Sequence, residues 1–536
     1  MSHRQLLSGN EAVALGALHV GCARGTGYPG TPSTEILERF DELGGEAEWA
    51  PNEKVAAEVA LGVAFAGVRA MVTMKHVGLN VAADVLFTSA YSGVQGALVF
   101  VVADDPGLAS SQDEQDTRRY GIAAGVPIIE PADSQEAYDY TRLAFTVSAR
   151  WKTPVILRLT TRVSHTAAMV QPCDAAETPP RPHFVRDIPG RVMIPGHARI
   201  KHRALRSKLA EIQKWNETEG PNRILPGAAA VGIVTCGVAS QYAREAAPEA
   251  TVLKLGMTYP LPFQTILGFL KDKAKRFVIE ENDPFLVEQI RAAGGDVPWN
   301  PEAFRMGELN VARVKRILTH DASPEPVAPR GKPPCLCPGC PHAYVFEILK
   351  KHDCIVAGDI GCYTLAALPP LSAMDSQICM GASIGVGLGL RHVLPEAEAR
   401  RVVSVIGDST FLHSGLTGVA EMVWNPPPFG HVLIVLDNQT TAMTGQQENP
   451  ATGRRLDHTP SPRIRIEEVI AAMGVKNVLT LNPVRQAVEL DAALVKALQT
   501  NELTAIVARQ PCLLAARQIR AAEQPSCVAC GTGAGG

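Results

Sequence analysis

The chain has no long apolar run and almost no net charge, its first residues lack a secretory pattern, and each lack argues against a class of function. Its apolar stretches, such as Gly96 to Ala103, have strand length and fall far short of the roughly 18 residues that a membrane helix needs. Asn10 and Glu11 interrupt the apolar residues after Met1 before a secretory core could form, so no signal peptide is expected and the chain is assigned to the cytoplasm. With 51 basic and 54 acidic residues the formal charge is −3, which gives neither nucleic acid nor an anionic membrane a broad electrostatic footprint. The basic stretch Arg199 to Arg203 reads as a solvated connector. The glycines of Gly385-Val386-Gly387-Leu388-Gly389 lack the full dinucleotide spacing, which argues against a nicotinamide dehydrogenase. No internal repeat is visible.

Cysteine, by contrast, is concentrated: of twelve, six lie between Cys335 and Cys379 and three between Cys512 and Cys530. In a chain expected to stay unsecreted this favours metal or redox chemistry over disulfides. A length of 536 residues suggests about three or four domains, at roughly 100–200 residues each. Strand-like runs at Ala70–Met74, Ala97–Val102 and Pro154–Leu157 alternate with helix-like pieces, so an α/β fold with parallel sheets flanked by helices is expected. The first domain is placed at residues 1–165. A linker rich in proline and charge, with one polar helix around Arg203 to Asn216, follows over 166–226. A smaller α/β domain is placed at 227–323, a second linker at 324–334, a third α/β domain at 335–515, and a short tail at 516–536.

In the third domain, Val402 to Ile406 runs into Gly407-Asp408-Ser409, and Val432 to Leu436 runs into Asp437-Asn438-Gln439-Thr440. Two adjacent parallel strands would bring an acidic and an amide oxygen to one sheet edge, where they could hold a magnesium-bridged diphosphate. Gly407 would let the backbone approach that ligand. Two ordinary strand ends with polar turns are the alternative. The pair resembles the thiamine-diphosphate motif, in which the metal takes the Asp, the last Asn and a main-chain carbonyl two residues on. The resemblance places those ligands at Asp408, Asn438 and Thr440. Ser409 stands where the motif usually has glycine, and Asp437 where it usually has asparagine.

Thiamine chemistry also needs an acid against the aminopyrimidine N1′. The segment Pro51 to Gly62 resembles the pyrimidine-domain helix, with Glu53 nine residues before a close-packed glycine. Val55, Val59 and Gly62 lie near Ala56 on one helical face, with Glu53 at its start. Glu58 is a competing carboxylate, and an Asn-Glu pair that merely caps a helix is the plainer alternative.

Gly27-Tyr28-Pro29-Gly30-Thr31-Pro32-Ser33, Lys75-His76-Val77-Gly78-Leu79-Asn80, Cys337-Pro338-Gly339-Cys340-Pro341-His342, Gly358-Asp359-Ile360-Gly361-Cys362-Tyr363 and Thr441-Ala442-Met443-Thr444-Gly445 together resemble the large subunit of the indolepyruvate-type 2-oxoacid:ferredoxin oxidoreductases. The resemblance runs from Leu6 to about Cys512. It implies a pyrimidine-binding domain at 1–165, a transketolase-C-like domain at 227–323 and a diphosphate-binding domain at 335–515. It puts Thr31 near the reacting 2-oxo group, and Lys75 and His76 in a loop facing substrate. Lys75 either pairs with the substrate carboxylate or is an exposed loop lysine. Met443 either packs beneath the thiazolium or is a core methionine.

The same resemblance implies a [4Fe-4S] cluster on Cys337, Cys340, Cys362 and Cys512. Zinc on the same sulfurs, or unliganded buried thiols, are the alternatives. Cys335 could replace Cys337, and Cys354 and Cys379 read as core residues. The implied reaction is oxidative decarboxylation of an aryl-pyruvate-type acid to an acyl-coenzyme A, with electrons leaving to ferredoxin or another acceptor. The implied partner is a small β subunit in an α2β2 assembly. Cys527 and Cys530 cannot supply the repeated sets of a two-cluster ferredoxin-like domain, so the tail at 516–536 is expected to stand in its place. A non-oxidative thiamine decarboxylase or lyase, or a non-catalytic scaffold subunit, are the rival functions.

Overall fold

The computed structural model describes residues 4–173, 177–178, 180–228, 230–325 and 334–516. Cys527, Cys530 and nearly all of the expected tail lie outside the described residues, as does most of the linker expected at 324–334. The chain divides into two compact units, Met1–Ala328 and Pro329–Gly536. Among the described residues no helix is long and apolar enough to cross a membrane.

The first unit is built on a seven-stranded sheet. Its strands run in the order Met257–Tyr259, Ile128–Ile129, Val155–Thr160, Ala97–Asp104, Arg69–Lys75, Arg24–Gly27 and Ala47–Trp49. All neighbours are parallel except Met257–Tyr259, which pairs antiparallel at the edge. Every residue of Ala97–Asp104 and Val155–Thr160 is buried, because helices cover both faces of a parallel sheet and leave no side of the strand wet. A second, four-stranded sheet orders Lys275–Ile279, Val231–Cys236, Thr251–Leu255 and Arg223–Leu225. The α/β class with parallel sheets is the one expected.

The stretch at 166–226 is more structured than a linker. Ala167–Val170 pairs antiparallel with Gln5–Ser8, and Pro195–Thr218 forms one long helix that contains the basic stretch Arg199 to Arg203. Only Leu205, Ile212 and Asn216 of that helix are buried, so it lacks the broad apolar stripe by which a packed helix is recognised in sequence.

Buried charges hold the two sheets of this unit together. Arg118, wholly buried, donates to Asp116 at 2.6 Å, to Glu280 at 2.9 Å and to the Glu281 carbonyl at 3.0 Å. Arg158 donates to Asp104 at 2.7 Å and to Glu130 at 2.8 Å, and Glu130 also accepts from Thr258 at 2.6 Å.

The second unit is a five-stranded, all-parallel sheet in the order Ile355–Ala357, Val402–Gly407, His431–Asp437, Leu503–Arg509 and Asn477–Leu481. The glycines at 385–389 fall inside the helix Ala382–Val393. A Cβ on Gly387 would stand 2.2 Å from Ser404 Oγ, so that glycine seats helix on strand rather than a nucleotide.

Candidate functional site

In the second unit the two central strands end side by side, with Gly407 paired to Leu436. They deliver Asp408 and Asn438 to the same edge. Asp408 starts a helical turn that passes into a π-helical turn over Phe411–Gly415, an irregularity common at functional sites. Asp408 is buried, and its Oδ1 accepts from the Ser409 N–H at 2.8 Å. Its Oδ2 is buried without a hydrogen-bond partner, although the Gln439 N–H and the Asn449 amide lie near enough to temper its charge. Burial, and then the neighbouring charge of Asp437, push the Asp408 carboxyl well above the usual carboxylate range. Asp437 itself is paired with Arg509 at 2.6 Å.

Asn438 is buried and gripped from two sides. Its carbonyl accepts from the Cys512 N–H at 2.9 Å, and its Nδ2 lies 3.4 Å from His342 Nε2. Its Oδ1 accepts from the Thr440 N–H at 3.2 Å, folding the turn so that Thr440 is also buried. The Thr441 hydroxyl donates to Ser409 Oγ at 2.9 Å, tying the two strand ends together. A buried carboxylate oxygen without a partner, an amide and a nearby main-chain carbonyl are all hard oxygen donors of the kind magnesium takes.

Gly407 also makes room within the fold. Its N–H donates to the Tyr363 phenol oxygen at 2.8 Å, and a Cβ there would stand 2.9 Å from the ring. The missing side chain makes room for Tyr363.

Cys335, Cys337, Cys340, Cys362 and Cys512 line one cavity of about 100 Å³, together with His342 and Asn438. Burial pushes the Cys340 thiol up and the Cys362 thiol to about 11, with the neighbouring thiols of the cavity adding to both shifts. Among the described residues no group of three or more His, Cys, Asp and Glu could hold a metal ion as the side chains stand. Cys354 packs against the core as expected, but Cys379 is exposed and is not a core residue. Met443, half exposed, is not a core methionine either.

In the first unit Glu53 opens the helix Glu53–Phe65 and is buried, with Asn52 capping through the Val55 N–H at 2.9 Å. The buried face is Glu53, Ala56, Ala57, Ala60 and Ala64. Gly62, expected to be close-packed, is exposed and has nothing within 4 Å of where its Cβ would be. The glycine that admits Glu53 is Gly78, on the neighbouring helix His76–Ser92, where a Cβ would stand 2.5 Å from Glu53 Oε1. Glu58 is exposed and paired with Lys54, which removes it as a rival for the buried acid.

Lys75 and His76 do not lie in a loop. Lys75 ends the strand Arg69–Lys75 and His76 begins the following helix. Lys75 is not an exposed lysine: burial pushes its ammonium pKa down, and Asp105, Asp113 and Glu53 pull it back up. It donates to the Ser110 carbonyl at 3.1 Å and packs over Gly30. His76 is buried, its Nε2 3.1 Å from the Asp113 carbonyl, while its Nδ1 has no hydrogen-bond partner. A carbonyl only accepts, so Nε2 carries the proton in that hydrogen bond. Thr31 belongs to the turn before the helix Glu35–Glu42, and its carbonyl accepts from Ser110 Oγ at 3.3 Å. The segment around Ser110 to Asp113 therefore touches Thr31, Lys75 and His76 alike.

Two family models match the chain. Residues 15–186 match "Pyruvate flavodoxin/ferredoxin oxidoreductase, thiamine diP-bdg", and residues 359–508 match "Thiamine pyrophosphate enzyme, C-terminal TPP binding domain". The indolepyruvate oxidoreductase subunit IorA of Archaeoglobus fulgidus is 40% identical, over 95% of this chain and 86% of its own length. That of Methanothermobacter thermautotrophicus is 37% identical over 96% and 88%, and that of Pyrococcus abyssi 38% over 95% and 86%. The chain belongs to the indolepyruvate oxidoreductase IorA family. It is an oxidoreductase subunit of the thiamine-diphosphate class.

Several residues of this family member were not singled out from sequence. Asp359 is fully buried and accepts from the N–H groups of Ile360, Gly381 and Ser383 at 2.9 to 3.0 Å, fixing the chain that carries Cys362. Tyr363 ties that segment to Gly407. His342, whose pKa burial pushes down to about 4, is a neutral neighbour of Asn438. Asp359, Tyr363 and His342 stood inside quoted motifs, but only the packing gives each a partner.

Proposed function

We propose that the chain is the catalytic large subunit that decarboxylates indolepyruvate and related aryl-pyruvates oxidatively to the acyl-coenzyme A and carbon dioxide, with ferredoxin or another acceptor taking the electrons. It works in the cytoplasm, where its thiols stay reduced, with a small β subunit in an α2β2 assembly. Residues 1–165 bind the pyrimidine, 335–515 the diphosphate, and 227–323 are the transketolase-C-like domain. Thiamine diphosphate supplies the carbon chemistry when bound. Glu53 holds and returns a proton at the aminopyrimidine N1′, and Gly78 keeps the carboxyl in place. Asp408, Asn438 and the Thr440 carbonyl hold magnesium against the diphosphate, with Gly407 and Ser409 beside them. Met443, left half exposed on the turn after Asn438, covers the thiazolium. Lys75 pairs with the substrate carboxylate, and Thr31 and His76 orient the 2-oxo group.

Cys337, Cys340, Cys362 and Cys512 hold a [4Fe-4S] cluster, which supplies the electron exit. One observation carries the oxidative reading: the cavity lined by these cysteines also includes Asn438, whose backbone is bonded to Cys512. A non-oxidative decarboxylase would have no use for that arrangement.

The test is anaerobic copurification with analysis of iron, sulfide, thiamine and partner chain, followed by a panel of 2-oxoacids with coenzyme A. Iron and sulfide near about four each per chain are expected, lost on Cys340→Ala together with acyl-coenzyme A formation. An iron-free protein with full oxidative activity would overturn the cluster, and aldehyde formation without coenzyme A would favour the non-oxidative rival.

A further inference from the structure

The ends of the parallel strands in the first unit differ in what they offer. Lys75 and Asp104 mark the carboxyl ends, where ligands of such sheets bind. At the opposite ends, where Gly93 to Gln95 lead into Ala97–Asp104 and Lys152 precedes Val155–Thr160, lies a cavity of about 360 Å³. Its wall carries Lys152, Arg191, Lys201 and Lys208 against one acid, Asp187. Asp187 is engaged by the Gly190 N–H at 2.9 Å. None of the four cations makes an ion pair with a carboxylate among the described residues.

Three of the four are instead held by neutral groups. Lys208 donates to the Lys152 carbonyl at 3.1 Å, and Lys152 donates to the Gln95 carbonyl at 2.7 Å. Arg191 is clamped between the rings of Phe65 and Phe184, at 4.9 and 4.8 Å. It donates to Gln95 Oε1 at 2.6 Å through Nη2, while its Nη1 is buried and has no partner. Gly93, at φ +66° and with a would-be Cβ 2.6 Å from the Lys152 carbonyl, lets that loop close on the cations. Burial and the charge of Lys201 push the Lys208 ammonium down to about 8, with Glu211 acting the other way.

Like charges gathered around a concave, partly apolar wall cost free energy unless an anion joins them. The volume falls in the range of small-molecule sites, about 300–1,000 Å³, and Tyr91, Val94 and Leu205 give it an apolar side. We propose that this cavity binds a phosphate-bearing small molecule of about nucleotide size, with Lys208, Lys201 and Arg191 on the phosphate and the Tyr91 side on the organic part. The site is not a place for a reacting group. Eight strand residues, at about 3.3 Å each, separate it from the carboxyl edge that carries Lys75, so a ligand there acts as an effector.

The experiment uses holoenzyme saturated with thiamine diphosphate and magnesium, so that the diphosphate site is filled. Inorganic phosphate, pyrophosphate and ADP are titrated calorimetrically at low and moderate salt. ADP is expected to bind tightest and to weaken with salt. Lys208→Gln and Arg191→Gln are each expected to weaken it at least tenfold and Lys208→Arg to change it only a few-fold, while Lys271→Gln, at the exposed end of the helix Phe263–Lys271 and outside the cavity lining, is expected to change nothing. Equal affinity for phosphate and ADP overturns the nucleotide size. No binding by any probe, or ADP binding that persists in both glutamine variants, overturns the site. Should a variant fail to fold, amine acylation of the parent decides: ADP must protect Lys201 and Lys208, and unchanged labelling of both counts against the proposal.

Discussion

Two sets of buried charges in this chain are built on opposite terms. Around Arg118 and Arg158 each guanidinium meets carboxylates at 2.6 to 2.9 Å. At the strand ends of the second unit Asp408 keeps one oxygen without a partner while Asp437 beside it is paired with Arg509. Burial alone therefore does not mark a working group. A charge that the fold has already satisfied serves cohesion, and a charge left unsatisfied is waiting for something from outside.

The comparison can be broken at four points. Glu53→Gln keeps the shape beneath Gly78 but cannot carry a proton, so turnover should drop by about 10²–10⁴-fold with little change in melting temperature or thiamine affinity. Near-normal turnover would remove Glu53 from the chemistry. Arg118→Met strips the paired set of its centre and should destabilise the first unit by about 3–5 kcal/mol in denaturant titration, with thiamine binding by the surviving folded fraction unchanged. Glu281 lies in the same buried region and burial pushes it to about 7. Its folded pKa exceeds the unfolded value, so its contribution is complete below pH 4.5 and is lost as pH rises through 7. Stability should decline across that window by on the order of 1–3 kcal/mol, and Glu281→Gln should flatten the slope. Asp408→Asn should leave metal-free stability unchanged or higher by about 1 kcal/mol, while magnesium-dependent thiamine binding weakens at least tenfold. A clear loss of metal-free stability would place Asp408 with the paired set.

The two strands that present Asp408 and Asn438 were legible because a parallel strand covered on both faces reads as an unbroken apolar run, and the polar residues that follow mark its end. Glu53 was legible from spacing, but its support was not. Periodicity tells which positions of a helix share a face, and it pointed to Gly62. The contact that matters is made by Gly78, 25 positions on from Glu53 and on another helix, which no local pattern can report. The polar helix at 195–218 was underestimated for the same physical reason: it buries three residues and shows no stripe. His342 and Asp359 were invisible as site residues because a buried histidine or aspartate has a meaning only once its partners are known.

The edge strand Met257–Tyr259 has a consequence for how the protein is made. Its partner in the seven-stranded sheet, Ile128–Ile129, leaves the ribosome well over a hundred residues earlier, and between them come the long helix and most of the four-stranded sheet. The N-terminal sheet thus stays open at that edge until much of the following domain has been synthesised, and an unpaired edge is a template for pairing with another chain. Any attempt to express the N-terminal region alone, by cutting the chain near residue 226, would make that temporary exposure permanent.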